Sequence, residues 1–250
     1  MERITEMSPR LLARMAGVLY VLEGLTSVFG QLIVPGRLVV SGDAAVTAAN
    51  ILGNESLFRL GLAASLLAVA FHIAQTVLFY DLFKPVSRRV SLLLVFFSLV
   101  AIALQAVSSL FQLPALVILG GGRGLGALSV EQLQSLALIF LRSRAQAFNV
   151  FLVFFGFRCA LIGYLIYRST FLPRIIGVLM AFAGLGYLML LWPPLVNYVA
   201  PFNLVLAAPG ELSLVLWLLV VGVNAERWKE QASAAGDWGS RRAMEGREGE

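Results

Sequence analysis

Between Ser91 and Leu113 the chain reads SLLLVFFSLVAIALQAVSSLFQL, without one charged side chain. A helix needs about 20 apolar residues to cross the hydrocarbon core of a bilayer, since each residue advances it by about 1.5 Å. Lipid offers no hydrogen bonds, so such a run must satisfy its own amides and carbonyls, as a helix does. The pattern recurs along the chain, and six spans are expected: Leu11–Val34, Leu57–Tyr80, Ser91–Leu113, Ala145–Tyr167, Leu172–Leu191 and Phe202–Asn224. Pro35-Gly36, Lys84-Pro85, Gly120 to Gly122 and Pro193-Pro194 punctuate them as stops and turns. Strand-type alternation does not compete, so the expected fold is all-α, a polytopic membrane helix bundle.

Composition agrees. Of the 250 residues, 59% are hydrophobic and 13% charged, against about 25% charged in a soluble domain. The expected organisation is a cytoplasmic segment over 1–10, a six-helix membrane domain over 11–224, and a polar, disordered cytoplasmic tail over 225–250, too poor in apolar surface to offset ordering. The first run is longer than the apolar core of a cleaved signal, carries Glu23 at its centre and lacks a small-x-small cleavage site, so it reads as a span.

A net charge of +5 would suggest nucleic acid in a soluble protein, but here the basic residues flank the apolar runs. That placement suits anionic headgroups and the positive-inside rule. With the N-terminus inside, ten basic residues fall on the cytoplasmic side (Arg3, Arg10, Arg14, Lys84, Arg88, Arg89, Arg168, Arg174, Arg227, Lys229) and five outside (Arg37, Arg59, Arg123, Arg142, Arg144). Both termini are therefore expected in the cytoplasm and the protein in the plasma membrane, with the lipid bilayer as its partner. Cys159 is the only cysteine and His72 the only histidine, which removes disulfide frameworks, cysteine metal clusters and HExxH sites. No metal or cofactor is implied, and oligomeric state is not legible.

Two outer loops carry short helices. After the first span, SGDAAVTAANILGNE offers Asp43 as a cap for otherwise unpaired first-turn amides. In SVEQLQSLALIFLRSR, Ser129 and Gln132 have capping-box spacing, with Leu133, Leu136, Ile139 and Phe140 on one face. That amphipathic helix is expected either along the membrane surface or packed on the outer ends of the bundle, leading into span four.

Charges inside the spans are costly, about 2.5–3.5 kcal/mol each on insertion scales, so they normally turn inward and find partners. Glu23, Arg158 and Glu211 are such residues. Their heights above the inner ends are about 18, 14 and 20 Å, with His72 near 12 Å and Gln105 near 21 Å, so all five fit one layer. Helical spacing gives three polar or small stripes: Ala16, Tyr20, Glu23, Ser27 and Gln31; Gly61, Ser65, Ala68, His72 and Gln75; Ser98, Ala101, Gln105, Ser108 and Gln112. Plain helix packing explains the Gly177, Ala181 and Gly184 stripe of span five. For the Gln and Ser lines a water-containing cavity is an equal alternative.

In FFGFRCALIGYL, Arg158 is surrounded by Phe154, Phe155, Leu161 and Ile162. Its guanidinium stays charged and forks onto carboxylates, so Glu23 or Glu211 is its expected partner. A fixed structural ion pair is the competing reading. Glu211 follows Pro209-Gly210, which lacks an amide hydrogen and is permissive, so the sixth helix is expected to kink or restart with Glu211 in the first turn of the half-helix. Interrupted helices of this kind mark binding sites in transporters.

The phrases GRLVVSGDAAVTAANILGNESLFRLG, LFKPVSRRVSLL, FFGFRCALIGYLIYRSTFLPRIIGVLMAFAGLGYL and GELSLVLWLLVVGVN occur in order. Together they resemble the domain of unknown function 4386 family of small multi-pass membrane proteins, from Leu11 to Asn224. The resemblance implies a membrane domain and assigns no activity or site. The leading functional expectation is a polar mid-membrane cavity, lined by Glu23, Arg158, Glu211, His72, Gln75 and Gln105, that binds or transports a small molecule or ion. The alternative is a structural or regulatory membrane protein whose buried ion pair only fixes packing. An intramembrane enzyme with a Glu and His72 as acid and base ranks third, since no nucleophile or metal set accompanies them.

Overall fold

A computed structural model describes residues 7–121, 126–192, 194, 198 and 205–235, and among these it is helical with no strand. Helix α1 runs Pro9–Leu38, α2 Ala44–Gly53, α3 Glu55–Phe83, α4 Arg88–Leu119, α5 Val130–Arg168, α6 Arg174–Leu188, α7 Ala208–Val220 and α8 Ala225–Ala235. Within α1 the segment Val28–Ile33 is a π-helix. Among the described residues, five helices are long and apolar enough to cross a membrane, or six if the bent pair α7 and α8 is one span. The expected start of the sixth span, 202–204, lies outside the described residues, as do Pro193 and Gly122.

What faces outward identifies the solvent. Leu25, Phe96, Ile175, Leu212 and Leu216 are exposed, while Glu23, His72, Gln75, Gln105 and Arg158 are buried. Water would reverse that arrangement and hydrocarbon demands it. Each polar stripe faces the interior along its whole length, from Ala16 to Gln31, Gly61 to Gln75 and Ser98 to Gln112.

The chain divides into two compact units. One comprises Met1–Leu19, Ala74–Ser98 and Phe155–Glu250, the other Tyr20–Ile73 and Leu99–Phe154. In the second unit, Asp43 caps α2 by accepting from Val46 N at 2.9 Å. The capping box at the head of α5 is reciprocal: Gln132 N donates to Ser129 Oγ at 3.3 Å and Ser129 N to Gln132 Oε1 at 2.8 Å. The helix it starts is one uninterrupted rod of 39 residues rather than a surface helix followed by a span. Nothing breaks it, because neither Gly nor Pro occurs before Gly156. Its length of about 58 Å exceeds the hydrocarbon core, so part of the helix extends beyond it. Near its N-terminal end, Leu133, Leu136 and Phe140 pack against a core of Val34, Leu38, Ile51, Phe58 and Leu116, whereas Ile139 is exposed.

In the first unit, α5 and α6 touch through glycine. A Cβ on Gly163 would lie 2.6 Å from Gly177 O, and one on Gly184 would lie 2.8 Å from Gly156 O, so only the absent side chains allow this approach. Helix α7 starts at Ala208 with Pro209 in its first turn, as a residue lacking an amide hydrogen can, and Gly210 meets Leu179 O, which a Cβ would approach to 2.5 Å. Gly222, at φ +75°, ends α7 and turns the chain by 103° into α8. The disorder expected from residue 225 is not found over Ala225–Ala235, because Trp228 Nε1 donates to Leu82 O at 2.9 Å and Gln231 Oε1 accepts from Thr170 N at 3.0 Å. Residues 236–250 lie outside the described part.

Candidate functional site

Each unit holds its own set of buried polar side chains. In the second, His72 and Gln105 are fully buried and meet at 3.2 Å, His72 Nδ1 to Gln105 Oε1. Gln105 Nε2 is committed to Ser27 Oγ at 3.5 Å, which leaves the amide oxygen toward the ring and makes Nδ1 the donor. Phe151 stands edge-on to the imidazole, with centroids 6.2 Å apart. Glu23, one turn before Ser27 on α1, is buried on the same face.

Gln31 joins this network through Ser109, whose Oγ donates to Gln105 O at 3.0 Å. Gln31 Nε2 donates to Ser109 Oγ at 3.2 Å, and Gln31 Oε1 accepts from Ser108 Oγ at 3.3 Å and from Arg144 Nη1 at 2.6 Å. Arg144 is 6% exposed and reaches Gln31 O as well, at 3.3 Å. Sequence reasoning placed Arg144 on the outer flank of span four, because α5 was expected to enter the membrane only at Ala145. The signal that would have found it is its position three residues beyond Leu141, on the buried side of α5.

In the first unit, Arg158 is the largest fully buried side chain. Its Nη2 donates to Gln75 Oε1 at 2.6 Å, and its guanidinium lies over the rings of Phe155 at 4.9 Å and Phe79 at 5.3 Å. Amide oxygen and π faces both favour a cation held away from water. Glu211 sits in the first turn of α7, and its Oε1 accepts from Tyr187 Oη at 2.5 Å. Tyr187 in turn stands edge-on to Phe155, centroids 5.4 Å apart. A contiguous line therefore runs Gln75, Arg158, Phe155, Tyr187, Glu211. Tyr187 was missed in the sequence; it falls three residues past Gly184, on the stripe that closes α6 onto α5.

Not every buried polar atom is answered. Gln75 Nε2, Ser91 Oγ and Ser98 Oγ in the first unit, and both amide atoms of Gln112 in the second, are buried without a hydrogen-bond partner among the described residues. The six predicted residues line none of three prominent hollows. The largest, about 680 Å³, lies at the α8 end among Ser169, Arg174, Arg227 and Gln231. A second runs along α5 beside Glu131 and Ser135, and a third along Gly163 and Gly177. Among the described residues no three His, Cys, Asp or Glu side chains gather as metal ligands would.

An apolar exterior, polar stripes turned inward and helices of crossing length define a multi-pass integral membrane protein. Within that class, the chain belongs to the family described as Domain of unknown function (DUF4386), whose model matches residues 15–222. No curated protein and no solved structure matches it.

Proposed function

We propose that the buried polar side chains bind a small molecule or ion within the membrane, as a carrier or receptor in the plasma membrane with both termini in the cytoplasm. The observation that carries this reading is the unanswered amide of Gln75. Its oxygen holds Arg158 while its Nε2 donor faces no acceptor among the described residues. A layer serving packing alone tends to satisfy its groups, since a buried unpaired amide costs about 1–3 kcal/mol. A ligand bearing an acceptor supplies the missing partner. His72 and Gln105 in one unit, Gln75, Arg158 and Glu211 in the other, and Glu23 as a further buried acid are the residues assigned to binding.

The test is a ligand panel on the reconstituted protein, read by thermal shift and by flux into vesicles. At least one small ion or polar solute raises the melting temperature, and Arg158→Gln or Glu211→Gln removes that response in protein that remains folded. An absence of both stabilisation and flux across the panel refutes it. The second reading, a purely structural layer, is favoured by the two aromatic faces over Arg158. It requires Glu23→Gln and Arg158→Gln to lose folded protein without altering any separable activity.

A further inference from the structure

Arg144 is a buried cation that none of the described carboxylates answers. The two ion pairs found elsewhere, Arg59 with Glu55 and Lys84 with Asp81, do not involve it. Other acids of its unit are engaged or distant. Asp43 caps α2, Glu131 accepts from Ser129 Oγ at 2.8 Å, and Glu23 lies eight residues before Gln31, about 12 Å along the axis of α1. Of the guanidinium, only Nη1 is committed, to Gln31. Among the described residues, Nε is buried and makes no hydrogen bond, and the guanidinium bonds that are made all leave from Nη1, none from Nη2.

That leaves open the Nε–Nη2 edge, the planar fork that grips a carboxylate or phosphate in two parallel bonds. Two further features gather at the same end of the unit. Gln112, one turn after Ser108 on the face that bonds Arg144 O, keeps its amide donor unpaired at 1% exposure. Gln31, which fixes Arg144, sits in the π-helical segment of α1, and π-turns within helices recur at functional sites.

We propose that Arg144, oriented by Gln31 and assisted by Gln112, is a binding site for an oxyanion, a carboxylate or phosphate group belonging either to a free solute or to a lipid headgroup. The site goes beyond the function proposed above, which does not use Arg144. Loss of ligand response in Arg158→Gln alone bears only on that other reading.

The full chain in nanodiscs tests it, by thermal unfolding at constant ionic strength. One arm titrates acetate or inorganic phosphate against discs of phosphatidylcholine. The other replaces part of the phosphatidylcholine with phosphatidylglycerol and adds no oxyanion. A saturable rise in melting temperature is expected in at least one arm, the first marking a free solute and the second a headgroup. Arg144→Lys keeps the charge but loses the fork, and weakens the response by about tenfold, the worth of about one hydrogen bond. Arg144→Gln abolishes it. Should either variant fail to fold, ¹⁵N-arginine spectra of the wild type decide, since one arginine Nε–H resonance must move with the anion. No rise in either arm, an equal rise in wild type and Arg144→Lys, or arginine Nε–H signals that stay still all overturn the site.

Discussion

Replacing Gly163 by alanine adds one methyl group where α5 meets α6. The new Cβ would stand 2.6 Å from Gly177 O and 2.8 Å from Ala181 N, both backbone atoms that cannot swing aside. Ordinary contact needs roughly 3.4 Å or more, so the helices must part by several tenths of an ångström, and inserting a methylene-sized group into a tight contact typically costs about 1–3 kcal/mol. Against this stands the better helix propensity of alanine, worth about 1 kcal/mol in water. Gly24→Ala isolates that second contribution, because a Cβ there meets nothing within 4 Å. Gly163→Ala is therefore expected to be about 1–3 kcal/mol less stable than Gly24→Ala. Denaturant unfolding of both variants in matched micelles measures the difference. If Gly163→Ala equals or exceeds Gly24→Ala in stability, the close glycine contact between α5 and α6 does not exist.

Tyr187→Phe and Glu211→Gln, made singly and together, should show a coupling of about 0.5–3 kcal/mol in a double-mutant cycle, the span from a neutral to a charge-assisted hydrogen bond; additive effects would mean that the 2.5 Å contact contributes nothing. Trp228→Phe removes the donor to Leu82 O and should raise hydrogen exchange over Ala225–Ala235 while leaving α7 protected; unchanged exchange in α8 would show that this bond does not dock it. Asp43→Ala should cost about 0.5–2 kcal/mol through loss of the α2 cap, a loss read by thermal unfolding and recovered by Asp43→Asn; a neutral alanine variant would refute the cap.

How much was legible varies with the kind of interaction. The cap at Asp43, the box at Ser129 and Gln132, and the start of α7 just ahead of Glu211 involve residues within one turn of each other, where spacing alone fixes geometry. The polar stripes were equally readable, since 3.6 residues per turn puts Glu23, Ser27 and Gln31 on one face, and lipid on the other side forces that face inward. Arg158 declared itself as a charge amid phenylalanines. The bonds from Arg144 Nη1 to Gln31 and from Tyr187 to Glu211 did not, because those partners are 113 and 24 residues apart.

Hydropathy and helical period thus establish the membrane class, the approximate crossings and the inward faces, because bilayer thickness and backbone hydrogen bonding act on every residue locally. Tertiary packing decides which inward groups meet, how closely α5 and α6 approach, that α8 docks instead of fraying, and which arginine keeps an open edge. Those outcomes depend on how one helix is rotated and shifted against another, to within an ångström or so, and periodicity within a single helix carries no information about that register.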